Sequence, residues 1–469
     1  MLQASSRNSN FLTFFAISCV QGCYWNADCP YLLHATKTPY ESVRGDIRDY
    51  SDPRARGSVS IWNLNRHGNR NPGNSATASM KVIAALKDDI IASYEAGTSQ
   101  LCAQDIDLFR KWAWNETLEV SASFLTGAGY EELYGIGKRI RERYPHLLQG
   151  SAEEFRLRAT AVQRTLASGA AFLHGLTEGL SVNITLEEAQ ERDDVIKPYD
   201  NCDRLRAERE TDTISNQLED YFDSPEFIAV QNAVRQRLGI STQLSSEDTF
   251  NIYELCRFYR SWTEELKSPW CAVFTNQDLI VLEYYDDVRH YYRNGYGSWV
   301  NVRLGGAPLK DLYENFEAVV QGSGRKLVSY YSHNAMMEMT FSAMGLYKDS
   351  IPLQGSFRDV NRVWRTSSIG VFAVNLIVVL NRCGTGSAQE HRVQFFINEK
   401  ETALCPLDGC SWQEFQEMFQ QFTSSNLDFC SLDYEYELPV GPGDNGASSI
   451  KALWSIFSIV GIFLLINFF

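Results

Sequence analysis

The sequence has no surplus of positive charge. Its 43 Lys and Arg face 58 Asp and Glu, a formal net charge of −15, which argues against a nucleic-acid binder with its basic footprint. No two cysteines stand as CxxC, so a zinc ribbon or a thioredoxin-like redox motif has nothing to rest on. Internal repeats and low-complexity linkers are also missing, and the composition is 44% hydrophobic and 22% charged. That profile excludes wholesale disorder, collagen-like repeats and a many-span membrane protein. What remains is a chain of 469 residues, long enough for one large or two medium domains with a core that needs no metal to hold it.

Two apolar blocks stand at the ends. Phe11 to Val20, followed by Gln21 and Gly22, has the size of a secretory signal core and is too short to span a bilayer. We expect residues 1–22 to be a signal peptide; a buried N-terminal helix is the alternative. Ala452 to Phe469 forms the second block, preceded by small residues (Gly443, Asn445, Gly446, Ala447) and a short polar spacer through Lys451. This is the layout of a glycosylphosphatidylinositol signal, with Asn445 as the expected attachment residue and 446–469 removed; a retained single span is the alternative. Loss of Arg7 and Lys451 with these ends would make the mature chain more acidic still. The expected location is the cell surface.

Cysteine usage agrees with export. Without Cys19, ten cysteines remain, enough for five disulfides in an oxidising compartment. Cys405 and Cys410 can close a small loop, and Cys256 and Cys271 can clip a helical segment; the full connectivity stays open. Asn115-Glu-Thr and Asn183-Ile-Thr are glycosylation sequons.

Between the ends, Val59 to Leu64 is a β-like run that stops at Asn65-Arg66-His67-Gly68. Residues 130–144 follow a helical period with Leu133, Ile136, Ile140 and Tyr144 on one stripe. A second helix is predicted from Ala161 to Leu176, its small residues Ala167, Gly169, Ala170 and Ala171 suiting close packing. Residues 186–295 carry charged and aromatic helical patterns, such as Gln217 to Leu238 and Leu279 to Arg293, and read as a mostly helical insertion. Strand signals return at Lys326 to Tyr331, leading into Ser332-His333. Gly370 to Leu380 and Arg392 to Ile397 flank Gly384-Thr-Gly-Ser as an antiparallel hairpin. Ser411-Trp-Gln-Glu414 is a capping box opening a helix with Phe415, Met418, Phe419 and Phe422 on its buried face. The expected fold is an α/β domain (23–185 and 296–445) interrupted by a helical domain (186–295).

The string RHGNRNP, Arg66 to Pro72, sets two guanidiniums around one imidazole on a loop at a strand end. Arg forks match phosphate oxygens in bidentate fashion, and a neutral imidazole can attack phosphorus. Gly68 permits close backbone approach. RHGxRxP resembles the signature of the histidine acid phosphatases. Further segments resemble the multiple inositol polyphosphate phosphatase branch: TKTPY (Thr36 to Tyr40), LTGAGYEELYGIGKRIRERYP (Leu125 to Pro145), SGAAFLHGL after Arg164, and SPWCAVF through LEYYDDVRHYYRNGYG (Ser268 to Gly297).

The resemblance implies a phosphoglycerate mutase-like α/β fold and hydrolysis of inositol polyphosphates such as inositol hexakisphosphate, or of bisphosphoglycerate, without cofactor or metal. It implies His67 as the nucleophile, Arg66, Arg70 and Arg164 as ligands of the transferred phosphate, and His333 as the second active-site histidine. The pattern departs immediately after His333, where family members place Asp one residue on or Glu two residues on as proton donor. Here stand Asn334 and Ala335. Glu338 is the nearest acid, about a helical turn away. General acid help is worth about 100- to 10,000-fold, so a slow enzyme is expected, with a binding-only pseudophosphatase as the alternative. His34, His146, His174, His290 and His391 show no ligand spacing and read as packing or surface residues.

Overall fold

A computed structural model of the chain describes residues 31–50, 57–262, 268–384, 390–406 and 409–434. Both terminal blocks, Asn445 and most of the turn after Gly384 lie outside them. Among the described residues no helix is long and apolar enough to cross a membrane.

The centre is a seven-stranded sheet. Its strands are β1 (Ser58–Arg66), β2 (Phe155–Ala159), β3 (Leu327–Ser332), β4 (Asn375–Cys383), β5 (Glu390–Ile397), β6 (Lys400–Glu401) and β7 (Cys410–Ser411), in the order β2-β3-β1-β4-β5-β6 with β7 also on β5. β2, β3 and β1 run parallel, and β4 and β5 continue the sheet antiparallel. β1 lies between β3 and β4 with Ile61, Trp62 and Leu64 buried. Two of its polar side chains donate across the sheet, Asn63 Nδ2 to Ser329 Oγ (3.3 Å) and Asn65 Nδ2 to the Tyr330 carbonyl (3.0 Å), while the Oδ1 of each has no partner among the described residues. The paired amide protons offset part of the cost of burying these side chains.

The expected α/β class, the strand at β1, the strand at β3 and the hairpin of β4 and β5 are all present. β2 is an addition: Phe155, Leu157 and Ala159 alternate with Arg156 and Arg158, a period of two that the sequence reading passed over. The run beginning at Gly370 becomes a strand only at Asn375. Thr366–Ile369 is a helical turn, and Ala373 takes a positive φ of 52° as the chain crosses the end of β1. The helix expected from Gln217 to Leu238 is two, Thr213–Phe222 and Pro225–Leu238. Pro225 has no N–H to continue the first, and Ser224 caps the second by accepting from the Phe227 N–H. Further helices over this segment are Asp203–Arg209, Ser246–Trp262 and Asn276–Asn294, with no strand among its described residues.

The stripe Leu133, Ile136, Ile140 and Tyr144 is buried, on and just beyond the helix Gly127–Arg143. That helix packs on Gln163–Thr177 through glycines. A Cβ on Gly137 would lie 2.2 Å from the Phe172 carbonyl oxygen, and one on Gly175 would lie 2.0 Å from that of Tyr134. Ala170, expected in such a contact, is exposed. The capping box at Ser411 forms as expected, with Phe415, Phe419 and Phe422 buried and Met418 half-buried. Three disulfides join described cysteines: the expected Cys256–Cys271 and Cys405–Cys410, and Cys202–Cys430.

The glycine contact sets up an opposed pair of substitutions. Gly137→Ala gains about 1 kcal/mol of helix propensity, yet its methyl meets a backbone oxygen that cannot turn away. A net loss of about 1–3 kcal/mol is expected. Gly127→Ala, with no atom within 4 Å of its new Cβ, is expected to be neutral or stabilising by up to about 1 kcal/mol. Urea unfolding of both variants checks the contrast.

Candidate active site

The register of β1 on β3 pairs Arg66 with Ser332, so the next residue of each strand, His67 and His333, leaves the sheet at the same edge. The His67 N–H donates to the Ser332 carbonyl (3.0 Å), and the Thr160 N–H, just past β2, donates to that of Tyr331 (3.1 Å). The carboxyl ends of three parallel strands therefore meet, the place where open α/β sheets bind ligands. The imidazole rings of His67 and His333 lie 5.7 Å apart, centroid to centroid.

The loop after β1 is held from behind. Gly68 and Gly129 touch backbone to backbone: a Cβ on Gly68 would stand 2.2 Å from the Gly129 oxygen, and one on Gly129 would stand 2.1 Å from that of Asn69. Gly68 N–H donates to Ser168 Oγ (3.0 Å) and Asn69 N–H to Glu132 Oε2 (2.7 Å). Glu132 Oε1 takes the Tyr40 N–H (3.2 Å), tying the TKTPY segment to the RHG loop. Burial pushes the Glu132 carboxyl up to about 7, against the pull of these N–H donors and of Arg66. The sequence reading missed this anchor, which sits on the stripe-bearing helix as an isolated buried acid.

Hydrogen bonds fix the protons on both rings. His67 Nδ1 lies 2.8 Å from the Gly68 carbonyl oxygen; a carbonyl only accepts, so Nδ1 carries the proton and Nε2 keeps its lone pair. His333 Nδ1 accepts from Arg164 Nη2 (3.2 Å), which leaves Nε2–H to donate to Thr160 Oγ1 (3.0 Å). Thr160 in turn bonds Thr165 Oγ1 (2.9 Å), whose own proton goes to main-chain carbonyls. Burial first, then neighbouring cations, holds both imidazoles well below their ordinary value: Arg66, Arg164 and Arg70 act on His67, and Arg164 and Lys197 on His333. A neutral His67 with a free Nε2 is what attack on phosphorus requires.

Arg66 Nη1 donates to the carbonyls of Thr36 (2.8 Å) and Gly370, and its guanidinium lies over the Phe372 ring. The buried Nε atoms of Arg66 and Arg164 have no acceptor among the described residues, donors that an anion would satisfy. Arg70 Nη1 bonds the Asn71 carbonyl (2.7 Å). Burial and the mutual repulsion of the guanidiniums lower Arg66 to about 9 and Arg70 to about 10. Arg66, His67, Arg70, Arg164 and His333 all line one cavity of about 420 Å³. Lys37, Lys197, Arg209, Arg289 and Arg293 also line it, so eight Lys or Arg meet one carboxylate, Asp200. The acidic chain thus gathers its cations in one place. A larger, mixed cavity of about 770 Å³ shares Lys37, Arg70 and Arg289 with it.

Asn334 and Ala335 line the cavity, whereas Glu338 is fully buried and does not. His290, expected to be a packing residue, is on the cavity wall with Arg289 and Arg293. All three come from the helix Asn276–Asn294, and the spacing in RHYYRN was the available signal for a shared face. The other four histidines do not line the cavity: His34 is buried, His146 Nε2 bonds the Ser58 carbonyl, His174 bonds Tyr130, and His391 lies on β5. Asn115 and Asn183 are both exposed.

Parallel strands ending in a histidine pair, with arginines converging from three elements, define a phosphate-handling enzyme of the histidine type. The chain belongs to the histidine phosphatase superfamily (branch 2), whose model matches residues 61–398. It is 28% identical over 435 residues to multiple inositol polyphosphate phosphatase 1 of Drosophila melanogaster, covering 89% of this chain and 92% of that one. The crystal structure of the phytase from D. castellii superposes with a TM-score of 0.66 at 15% identity, over 83% of this chain and 85% of that one. The multiple inositol polyphosphate phosphatase of Bifidobacterium longum, in complex with inositol hexasulfate, gives 0.64 at 15% identity, over 84% and 98%. The chain is a phosphatase, and the histidine phosphatase fold expected from its motifs is the fold it has.

The lowered histidines have a measurable consequence. His67 and His333 are expected to stay neutral as pH falls through 6.5, the unperturbed value, which ring chemical shifts in an NMR titration would report. Below 6.5 the unfolded chain takes up protons that these rings refuse. Their contribution to stability is therefore complete above 6.5 and declines as pH falls towards the lowered folded values.

Proposed function

We propose that the protein hydrolyses inositol polyphosphates through a phosphohistidine on His67 Nε2. The observation that carries this is the eight-to-one excess of Lys and Arg over carboxylates in the cavity onto which His67 opens. A monophosphate needs three or four such partners; a ring bearing several phosphates uses the rest. The names of the relatives, and the inositol hexasulfate bound to the B. longum enzyme, support the same substrate class.

Arg66, Arg70 and Arg164 hold the phosphoryl oxygens and offset the charge that builds on them, the main catalytic work in phosphoryl transfer. The proton stays on His67 Nδ1, hydrogen-bonded to the Gly68 carbonyl, so Nε2 is free to attack in line with the departing oxygen. Bound phosphate takes over Arg164 from His333; with the ring proton moved to Nδ1 and Nε2 accepting from Thr160 Oγ1, His333 then donates to the same oxygens. His67→Ala is expected to abolish phosphate release from inositol hexakisphosphate, and labelled phosphoenzyme to be trapped in the parent protein alone. A His67→Ala variant as active as the parent overturns the assignment.

The sequence supports a cell-surface location for this activity, with cleavage after Gly22 and a lipid anchor on Asn445. Phosphatidylinositol-specific phospholipase C is expected to release the enzyme from cells in soluble form. Retention in the detergent phase after that treatment would instead indicate a membrane span.

A further inference from the structure

The phosphatase reading leaves one chemical gap: a poor leaving group such as an inositol alkoxide needs a proton, and the residues where the family resemblance expects an acid are Asn334 and Ala335. The hydrogen bonds around that gap converge on one imidazole. His290 Nδ1 lies 2.9 Å from Glu338 Oε2. Asn334 Nδ2 donates to Glu338 Oε1 (2.8 Å) and Asn294 Nδ2 to Oε2 (2.7 Å), and both amide nitrogens stand 3.2 Å from His290 Nδ1. The carboxylate only accepts and the two amides donate to it, so Nδ1 of His290 carries a proton and donates a hydrogen bond to Glu338 Oε2. Nε2, on the other side of the ring, makes no hydrogen bond among the described residues, and the side chain keeps 15% of its exposure on the cavity wall.

We propose that His290, oriented by the buried carboxylate of Glu338, is the general acid of this enzyme, standing in for the missing residue after His333. In the first step the bond from His67 Nε2 to phosphorus forms, the phosphorus–alkoxide bond breaks, and the departing oxygen takes the proton from His290 Nε2. In the second, water attacks the phosphohistidine, its proton passes to His290 Nε2, and the nitrogen–phosphorus bond breaks. The sum is ester plus water to alcohol plus phosphate, with both rings restored. Asn334 then has a purpose: its amide donates to Glu338 and steadies the dyad, where an aspartate would set two carboxylates against each other.

The proposal rests on the phosphatase reading, and its test separates the two. His290→Gln keeps a polar ring-sized group but has no proton to transfer. It is expected to lower kcat about 100-fold or more on alkyl phosphates, inositol hexakisphosphate and glycerol phosphate alike. On nitrophenyl phosphate, whose leaving group needs little protonation, the loss should stay within about threefold. Adding Ala335→Glu to His290→Gln should return at least a tenfold share of the alkyl rate. Asp200→Asn, which alters the one carboxylate on the cavity wall, already ion-paired with Lys197, should leave the alkyl-to-aryl ratio unchanged. Equal losses on both leaving groups in His290→Gln, or a collapse of the ratio in Asp200→Asn instead, overturns the proposal. A parent protein that cleaves glycerol and nitrophenyl phosphates but not inositol hexakisphosphate would refute the substrate class and leave the role of His290 readable.

Discussion

Parallel pairing of β1 with β3 is the interaction on which the site depends. Because Arg66 stands opposite Ser332, the residue following each strand is a histidine, and the two imidazoles emerge side by side. A shift of register by one residue would turn every side chain of β1 to the other face of the sheet. Asn63 and Asn65, bonded to Ser329 and Tyr330 in β3, would then lose their partners. The buried polar pairs in the sheet thus guard the alignment of the catalytic edge, at positions where an apolar residue would fill space equally well and specify nothing.

Crowding eight cations into one cavity needs a counterweight that does not fill the cavity itself. The fold supplies it in the buried layer beside the cavity. The helix Asn276–Asn294 presents Arg289, His290 and Arg293 to the cavity and, one to two turns earlier, buries Glu283, Asp286 and Asp287. Asp286 takes Arg257 Nη1 (2.7 Å) and lies 3.8 Å from Lys37, while Asp287 takes Arg362 Nε (2.8 Å). Buried pairs of this kind give little net stability against apolar replacements, but removing one partner costs about 3–5 kcal/mol. Their role here is placement: they hold Lys37 and the cavity-lining helix in position, while Arg66, Arg70 and Arg164 have no carboxylate within ion-pair distance among the described residues.

How much of this was legible in the chain follows from how local each signal is. β1, β3, the hairpin of β4 and β5 and the capped helix at Ser411 announce themselves through runs of neighbouring residues. RHGNRNP, Arg164 and His333 carried the clamp, because a family motif compresses long-range geometry into a short string. β2 escaped because Arg156 and Arg158 interrupt it, and the charges that make them tolerable, Glu187 and Asp193, come from about 30 residues further on. His290 escaped for a similar reason: alone in its helix it has no partner with ligand spacing, and Glu338 lies 48 residues away. Glu338 itself was the nearest acid in sequence, yet its carboxylate points into the interior and reaches the ligand side only through the imidazole.

The Arg66 guanidinium is held by carbonyls of Thr36 and Gly370, and the His67 carbonyl takes the N–H of Ala373. The clamp therefore has no local precursor during synthesis of the chain. A nascent polypeptide that ended after the helix Asn276–Asn294 would already contain every arginine of the site and still have nowhere to hold a phosphate. Concentrated positive charge first exists in the molecule when its acidic interior is already wrapped around it. Unfinished chains consequently present no ready-made trap for the polyanions around them, and the binding cavity arrives only with a nearly complete protein.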